Sequence, residues 1–327
     1  MTDGAVASDE VVSLRDTPTL EALYQEAVKI NVRPGWLQRD EPAPAEKRQS
    51  EYLPAHWSYD LCKAALDSAG RLIDVALAER RNLSMFNPVG GKGVQTTKTL
   101  VSAYQMILPG EKAPSHRHTA HALRVIIEAH GAYSTVDRVA TPMETGDVLL
   151  TPSWSWHEHG HNGDAPAYWF DGLDVPLVRA LETRFYEDNP VPFDPSSNLV
   201  ATSPHRFTRA EIARRLDRSR SNNEGFHGPR VLLEAPTMPT IELSMERLPS
   251  GMHTRRQRST INRIFCCIEG SGTTIAGDQR FEWKRGDTFA VPCWTKFEHH
   301  AAEDAQLFLM SDEPLMRFGR FYRFEAD

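Results

Sequence analysis

A histidine-dense stretch between Gly110 and Gly160 constrains this chain more than any other feature. Seven of the thirteen histidines lie between His116 and His161. The stretch opens GEKAPSHRHTAHALRVIIEAHG and closes GDVLLTPSWSWHEHGH. His116 and His118 are two apart, and residues i and i+2 of a strand face the same side, so both imidazoles can address one ion. His157 follows 39 residues after His118, beyond a Gly146-Asp147 turn and Pro152. That spacing lets a hairpin carry a third imidazole back beside the pair. Three neutral imidazoles suit Fe, Zn, Cu or Ni and leave room on the ion for exogenous ligands. Histidines that merely decorate a polar loop would need neither the spacing nor the turn glycines, so we expect a metal site.

Bulk properties narrow the setting. A chain of 327 residues with 40% hydrophobic and 25% charged content is ordinary for a globular protein of one large or two smaller domains. No apolar run approaches the length of a membrane span. The start, MTDGAVASDE, lacks the basic and apolar regions of a signal peptide. The four cysteines, Cys62, Cys266, Cys267 and Cys293, form no CxxC motif, which fits a reducing cytoplasm. A net charge of −7 argues against a nucleic-acid partner.

Along the chain, residues 1–18 read as a mobile polar tip. LEALYQEAVKI reads as an amphipathic helix with Leu20, Leu23, Ala27 and Ile30 on one face. Residues 33–56 look irregular, and Tyr59 to Arg81 reads as one longer helix capped by Ser58 or Asp60. GGKG at 90–93 lacks the spacing of a phosphate loop and reads as a turn. From Thr97 short strands are punctuated by Gly, Pro and Asp, the pattern of an all-β sandwich or barrel. A connector follows: LVRALETRFYE has a helical pattern, FDPSSNLVATSP reads as a loop, and TRAEIARRLDRS reads as a helix with Thr208 as its cap and Glu211 at the capping-box position.

The strands then repeat. IIEAHGAYSTV matches CIEGSGTTIAG, and GDVLLTPSWSWHEH matches GDTFAVPCWTKFEHH, at an offset of about 140 residues. We expect an N-terminal tail and helical arm over 1–95, a metal-binding β module over 96–175, a helical connector over 176–229 and a degenerate copy over 230–327. Aligning Glu128 with Glu269 places Gln257 and Ser259 at the positions of His116 and His118. Aligning Pro152 with Pro292 places Phe297 at that of His157. The copy keeps His299 and His300, but adjacent strand residues point to opposite faces. One metal per chain is the expectation.

Arg124 lies six residues beyond His118, so a continuous strand turns it to the same interior face. A buried guanidinium needs an anionic partner. Glu128, of the same parity, would serve, and so would a substrate carboxylate gripped bidentately. The repeat has Phe265 at this position. The arginine is therefore lost together with the ligands, which favours the substrate. His159, two residues after His157, also faces inward in a regular strand, as a fourth ligand, an acid/base group or a satisfied core histidine. His121 has the opposite parity and reads as outward or interfacial; His130 and His161 read as turn residues, and Trp154, Trp156 and Trp169 as core.

The paired stretches resemble the conserved motifs of the cupin superfamily. HRHTAHALRVIIEAHGAY and PSWSWHEHG are similar to the gentisate 1,2-dioxygenase family, which includes dioxygenases of salicylate and 1-hydroxy-2-naphthoate. The resemblance spans roughly residues 75–320 and is strongest over 104–175. It implies an all-β bicupin, with two jelly-roll barrels, that holds Fe(II) through His116, His118 and His157. The Glu that usually follows HxH in cupins is absent, since residues 120–123 read Ala-His-Ala-Leu, as in gentisate-type members. The resemblance further implies that Arg124 binds the substrate carboxylate and that His159 acts near dioxygen or substrate. Asp171 would meet the ring substituent or orient its neighbours. Arg80, with Arg81 as its rival, would close over the site.

The implied activity is dioxygen-dependent cleavage of a 2-hydroxybenzoate between its carboxyl- and hydroxyl-bearing carbons. The acid expected is gentisate or another 5-substituted salicylate such as 5-nitrosalicylate, with Val101 and Ala103 on the preceding strand shaping the ring pocket. Salicylate, 1-hydroxy-2-naphthoate and a non-enzymatic metal-binding sensor are the alternatives; no paired helix-turn-helix supports DNA binding by a sensor. The resemblance also implies a homo-oligomer, since dimers or tetramers are common in the family, and the helical arm could serve such contacts.

Overall fold

The computed structural model describes residues 14–37, 49–89, 91, 93–189, 191, 199–221 and 224–327. The expected mobile tip, the irregular stretch after Arg33, the GGKG turn and the connector loop fall wholly or partly outside them. The described residues 14–37 belong to a first unit, separate from the rest of the chain. Within it, helix α1 (Leu20–Lys29) starts at Thr19, whose hydroxyl accepts the Ala22 N–H at 3.1 Å. Of its expected apolar face only Ala27 is buried.

The second unit covers residues 49–327. It begins with β1 (Ala55–Trp57), α2 (Tyr59–Leu72), α3 (Val75–Ala78) and β2 (Arg81–Ser84). The single long helix expected here breaks at Ile73. Asp74 then accepts the Leu77 N–H at 2.8 Å and caps a separate turn. The chain continues through β3 (Val101–Ile107), β4 (Lys112–His118), β5 (Ala122–Glu128), β6 (Ala132–Val136), β7 (Val139–Met143), β8 (Val148–Thr151), β9 (His157–His161) and β10 (Ala167–Leu173). Next come α4 (Val175–Ala180), β11 (Tyr186–Asp188), β12 (Arg206–Phe207) and α5 (Arg209–Arg218). Thr208 caps α5 by accepting the Glu211 N–H at 3.2 Å. The second half runs β13 (Arg230–Leu232), β14 (Glu242–Leu248), β15 (Gln257–Ser259), β16 (Arg263–Glu269), β17 (Ser271–Ala276) and β18 (Gln279–Lys284). It ends with β19 (Thr288–Val291), β20 (Phe297–Ala301), β21 (Ala305–Ser311), α6 (Glu313–Phe318) and β22 (Phe324–Ala326).

These strands build two like modules, each a six-stranded sheet facing a five-stranded one: a bicupin. The first has sheet orders β12-β8-β5-β10-β3-β2 and β11-β4-β9-β6-β7; the second has β1-β19-β16-β21-β14-β13 and β18-β17-β20-β15-β22. The six-stranded sheets are covered on both faces, so β5 is apolar almost throughout. Leu123, Val125 and Ile127 enter one core with Ile264, Phe308 and Met310 of the second module. Ile126, on the other face, packs with Trp169 and Met143 inside the first module.

The repeat extends further than the motif alignment. Helix α4 and strand β11 correspond to α6 and β22, so each module ends in a short helix and an edge strand. Arg117 pairs with Glu187 at 2.6 Å and lies over Trp154 and Trp156 at 4.5 Å each. Arg258 repeats this with Glu325 at 2.5 Å and Trp294 at 4.6 Å. Both Trp154 (φ 64°) and Trp294 (φ 63°) take the left-handed conformation rare for such a side chain. Each donates its backbone N–H to the last residue of an equivalent strand, Trp154 to the His118 carbonyl of β4 and Trp294 to the Ser259 carbonyl of β15.

The modules also exchange strands. β1 precedes the first module yet pairs with β19 of the second, and β12 precedes the second yet pairs with β8 of the first. Each exchange is fastened by a buried aspartate. Asp147 accepts from Arg206 at 2.5 Å and from the Arg209 N–H at 2.9 Å. Asp287 accepts from the Tyr59 N–H at 2.8 Å and lies 3.3 Å from the His56 ring. The glycine before each aspartate, Gly146 (φ 91°) or Gly286 (φ 90°), lies under the incoming helix, where a Cβ would come within 2.7 Å of Arg209 or 2.4 Å of Tyr59. Breaking a buried ion pair by removing one partner costs about 3 kcal/mol. Asp147→Asn should therefore lower the denaturation midpoint of the whole chain in a single transition. An unchanged midpoint would contradict the fastening role.

Candidate metal centre

The HxH pair ends β4, and β9 returns beside it with His116 opposite His157. One nitrogen from each of His116, His118 and His157 falls in a group whose members all lie within 4.8 Å of one another. The rings stand at centroid separations of 4.3 Å (His116–His157), 4.8 Å (His118–His157) and 5.4 Å (His116–His118). Backbone carbonyls set two tautomers. His118 Nδ1 donates to the Ala120 carbonyl at 2.8 Å, and His157 Nδ1 to the Ser155 carbonyl at 3.0 Å. A carbonyl only accepts, so Nδ1 carries the proton and Nε2 keeps its lone pair for an ion.

Burial keeps the rings neutral. It is the first cause pulling His116 down to about 2, with Arg80, His118 and Arg124 adding to it. It likewise lowers His118 to about 4. His157 and His159 are held well below the ordinary histidine value by burial first and Arg124 second. Neutral nitrogen donors suit Fe, Zn, Cu or Ni rather than Mg or Ca. Buried polar atoms without a hydrogen-bond partner collect at the same place: His116 Nδ1, Arg124 Nε and both ring nitrogens of His159. Such groups are costly unless something else meets them. The residues therefore fit a transition metal with a polar ligand beside it.

Arg124 stands on β5, facing the same interior. Its Nη1 donates to Thr151 Oγ1 at 2.6 Å, and its Nε lies 3.4 Å from Asp171 Oδ1 on the neighbouring strand. Its carboxylate neighbour is thus Asp171 rather than Glu128, which accepts from Tyr59 Oη at 3.0 Å instead. Asp171 also accepts from Trp169 Nε1 at 3.1 Å, and Trp169 meets the His159 ring edge-on at 5.5 Å. Burial pushes the Asp171 carboxyl up to about 6, against the pull of Arg124 and Trp169. The two rival arginines separate. Arg81 is fully engaged, bidentate with Glu111 at 2.5 and 2.7 Å and donating to the Ile73 carbonyl. Arg80 donates to the Pro114 carbonyl at 2.9 Å, two residues before His116, and its charge bears on Arg124, Asp171 and His116. The centre thus joins neutral imidazoles, two guanidiniums and one carboxylate, a balance that attracts an anion.

Sequence reasoning missed three members. The helical pattern of LVRALETRFYE places Tyr186 in a connector helix, but it lies on edge strand β11 and stacks on His116 at 5.1 Å. Thr151 and Trp169 hold Arg124 and Asp171, and their strand parity was the available signal. His121 is buried, not outward. It takes the Ser153 N–H on Nδ1 at 3.0 Å, while its own backbone N–H donates to Asp174. His161 is a buried strand residue, not a turn residue, with Nε2 donating to the Ala165 carbonyl at 2.5 Å.

In the second module Gln257 faces Phe297 in the register of His116 and His157. Phe265 and Leu309 likewise take the register of Arg124 and Asp171. Its interior is filled by Phe265, Phe289, Phe297 and Trp283. Among the described residues the His116–His118–His157 group is the one cluster of three or more such side chains that could hold an ion.

Comparison with known proteins places these features in context. A cupin-domain profile matches residues 103–175. The chain is 34% identical over 336 residues to gentisate 1,2-dioxygenase 1 of Aquipseudomonas alcaligenes, covering 94% of this chain and 96% of that protein. It is 31% identical to 5-aminosalicylate 1,2-dioxygenase of Comamonas sp., covering 94% and 90%. The crystal structure of salicylate 1,2-dioxygenase from Pseudoaminobacter salicylatoxidans with gentisate superposes with a TM-score of 0.85 at 26% identity, over 95% of each chain.

His118→Ala removes one of three neutral donors. After metal loading and desalting, we expect bound metal to fall to background relative to wild type by elemental analysis. Stoichiometric retention would refute the ligand set.

Proposed function

The chain belongs to the gentisate 1,2-dioxygenase-like family of bicupin ring-cleaving dioxygenases, and on that premise we propose that it is an Fe(II)-dependent enzyme cleaving a 2-hydroxybenzoate between its carboxyl- and hydroxyl-bearing carbons. The observation that carries the reading is a buried guanidinium, Arg124, on the interior face shared with three converging neutral imidazoles. His116, His118 and His157 would hold the iron. When bound, the iron supplies one-electron chemistry toward dioxygen, which no side chain here offers.

The protein's residues bind, orient and move protons. Arg124 takes the acid's carboxylate with the donors that Thr151 leaves free, and Asp171 keeps its guanidinium from drifting. Arg80 adds a second positive charge on the His116 side. His159, neutral and without a hydrogen-bond partner, holds or delivers a proton at the reacting oxygen. Walls of Trp169 and Ile126 exclude water. Gentisate or another 5-substituted salicylate is the acid of this reading, with the small side chain of Ala103 directly opposite Asp171.

Self-assembly into a dimer or tetramer belongs to the same reading. Phe318, Leu72, Leu77 and Leu61 are each 76–90% exposed, apolar side chains that a partner copy could cover. The free thiols suit a reducing cytoplasm. Among the described residues no helix is long and apolar enough to cross a membrane.

Iron-loaded protein should consume oxygen with at least one member of a panel of gentisate, salicylate, 5-amino-, 5-nitro- and 5-halosalicylate. No uptake with any would overturn the proposal. Arg124→Gln should raise KM for the active acid about 10- to 100-fold, the worth of a charge-assisted contact, with iron content unchanged. An unaltered KM would remove Arg124 from the binding role.

A further inference from the structure

The internal repeat isolates one contact that the first module lacks. Ser134 on β6 stands directly opposite His159 on β9, and in the second module Thr274 stands directly opposite His299 in the same register. Directly opposed residues of antiparallel strands share a face and lie close together. Thr274 Oγ1 and His299 Nδ1 are hydrogen-bonded at 2.8 Å, and Trp283 donates to the same hydroxyl at 2.9 Å. In the first module Met143 replaces that tryptophan opposite Ala132. There Ser134 Oγ and both His159 nitrogens are buried with no hydrogen-bond partner. Ser134 and His159 are each 1% exposed, so solvent does not satisfy them.

The surroundings show which part of the pair is architecture. Arg124, Asp171, Thr151 and Trp169 are replaced in the second module by Phe265, Leu309, Val291 and Leu307, all apolar. The hydroxyl–imidazole pair alone survives, as Thr274 and His299. A serine hydroxyl moves between staggered rotamers without backbone change. Ser134 stands opposite His159 at the register from which Thr274 meets Nδ1 of His299.

We infer that Ser134 is a positioning residue for His159: its hydroxyl donates to Nδ1 and fixes the tautomer with the proton on Nε2, directed into the space beside Trp169 and Arg124. The inference deepens the proposed function, on which its kinetic arm rests. A freely exchanging imidazole would present a donor to the reacting oxygen only part of the time, and the serine removes that loss.

The test uses the full chain with ¹⁵N-labelled histidine, loaded with diamagnetic zinc, and His159→Gln to assign the His159 resonances. Wild type should show a single Nε2–H tautomer at His159, Ser134→Ala a tautomer average, and Ser134→Thr the wild-type pattern. In iron-loaded protein Ser134→Ala should lower kcat about tenfold with KM and iron content unchanged, and Ser134→Thr should restore most of it. Unchanged His159 nitrogen shifts in Ser134→Ala would overturn the inference, as would an unchanged kcat. If no acid supports oxygen uptake in wild type, the proposed function falls, while the nitrogen shifts still decide whether the contact exists.

Discussion

Burial of uncharged imidazoles is the constraint on which the rest of this site depends. His116, His118 and His157 sit where burial and the two nearby guanidiniums together disfavour protonation. Neutral rings keep their lone pairs. Two of them have Nδ1 tied to backbone carbonyls, so Nε2 is the atom that remains free. The absence of a carboxylate from that donor group leaves the pocket positive, with Arg80 and Arg124 set against Asp171. A pocket of that balance receives an acid more readily than a neutral molecule.

The second module serves as an internal comparison. It keeps the register, the left-handed tryptophan turn and the arginine–glutamate–tryptophan clamp, yet fills its interior with Phe265, Phe289 and Phe297. The fold therefore does not need the imidazoles or Arg124. Conversely, the reciprocal exchange of β1 and β12 makes each module's large sheet depend on the other half of the chain. A module without its own metal group still helps to close the sheet that carries Arg124.

Much of this was legible in the sequence because it rests on local periods. The HxH parity, the return at His157 and the offset of about 140 residues between the copies depend only on strand alternation and turn glycines, and the observed pairings follow the same alignment. What escaped was non-local. Asp171 neighbours Arg124 because β10 pairs with β5, a choice no nearby residue encodes. The exchange of β1 escaped because a three-residue strand in a Pro-rich stretch carries no periodic signal. Asp74, as an N-cap, ended the long helix that hydrophobic spacing alone extended to Arg81. Tyr186 was hidden by an apolar pattern that reads equally well as a helix.

The central claim is that the site inserts both atoms of dioxygen into an aromatic acid. Turnover of the active 2-hydroxybenzoate by iron-loaded protein under ¹⁸O₂ in ordinary water tests it most directly. Mass spectrometry should find both labelled atoms in the ring-opened product, one in the new carboxylate and one in the new ketone, allowing for exchange of the ketone oxygen with water. A product with the ring intact and one labelled atom, or none, would contradict the account.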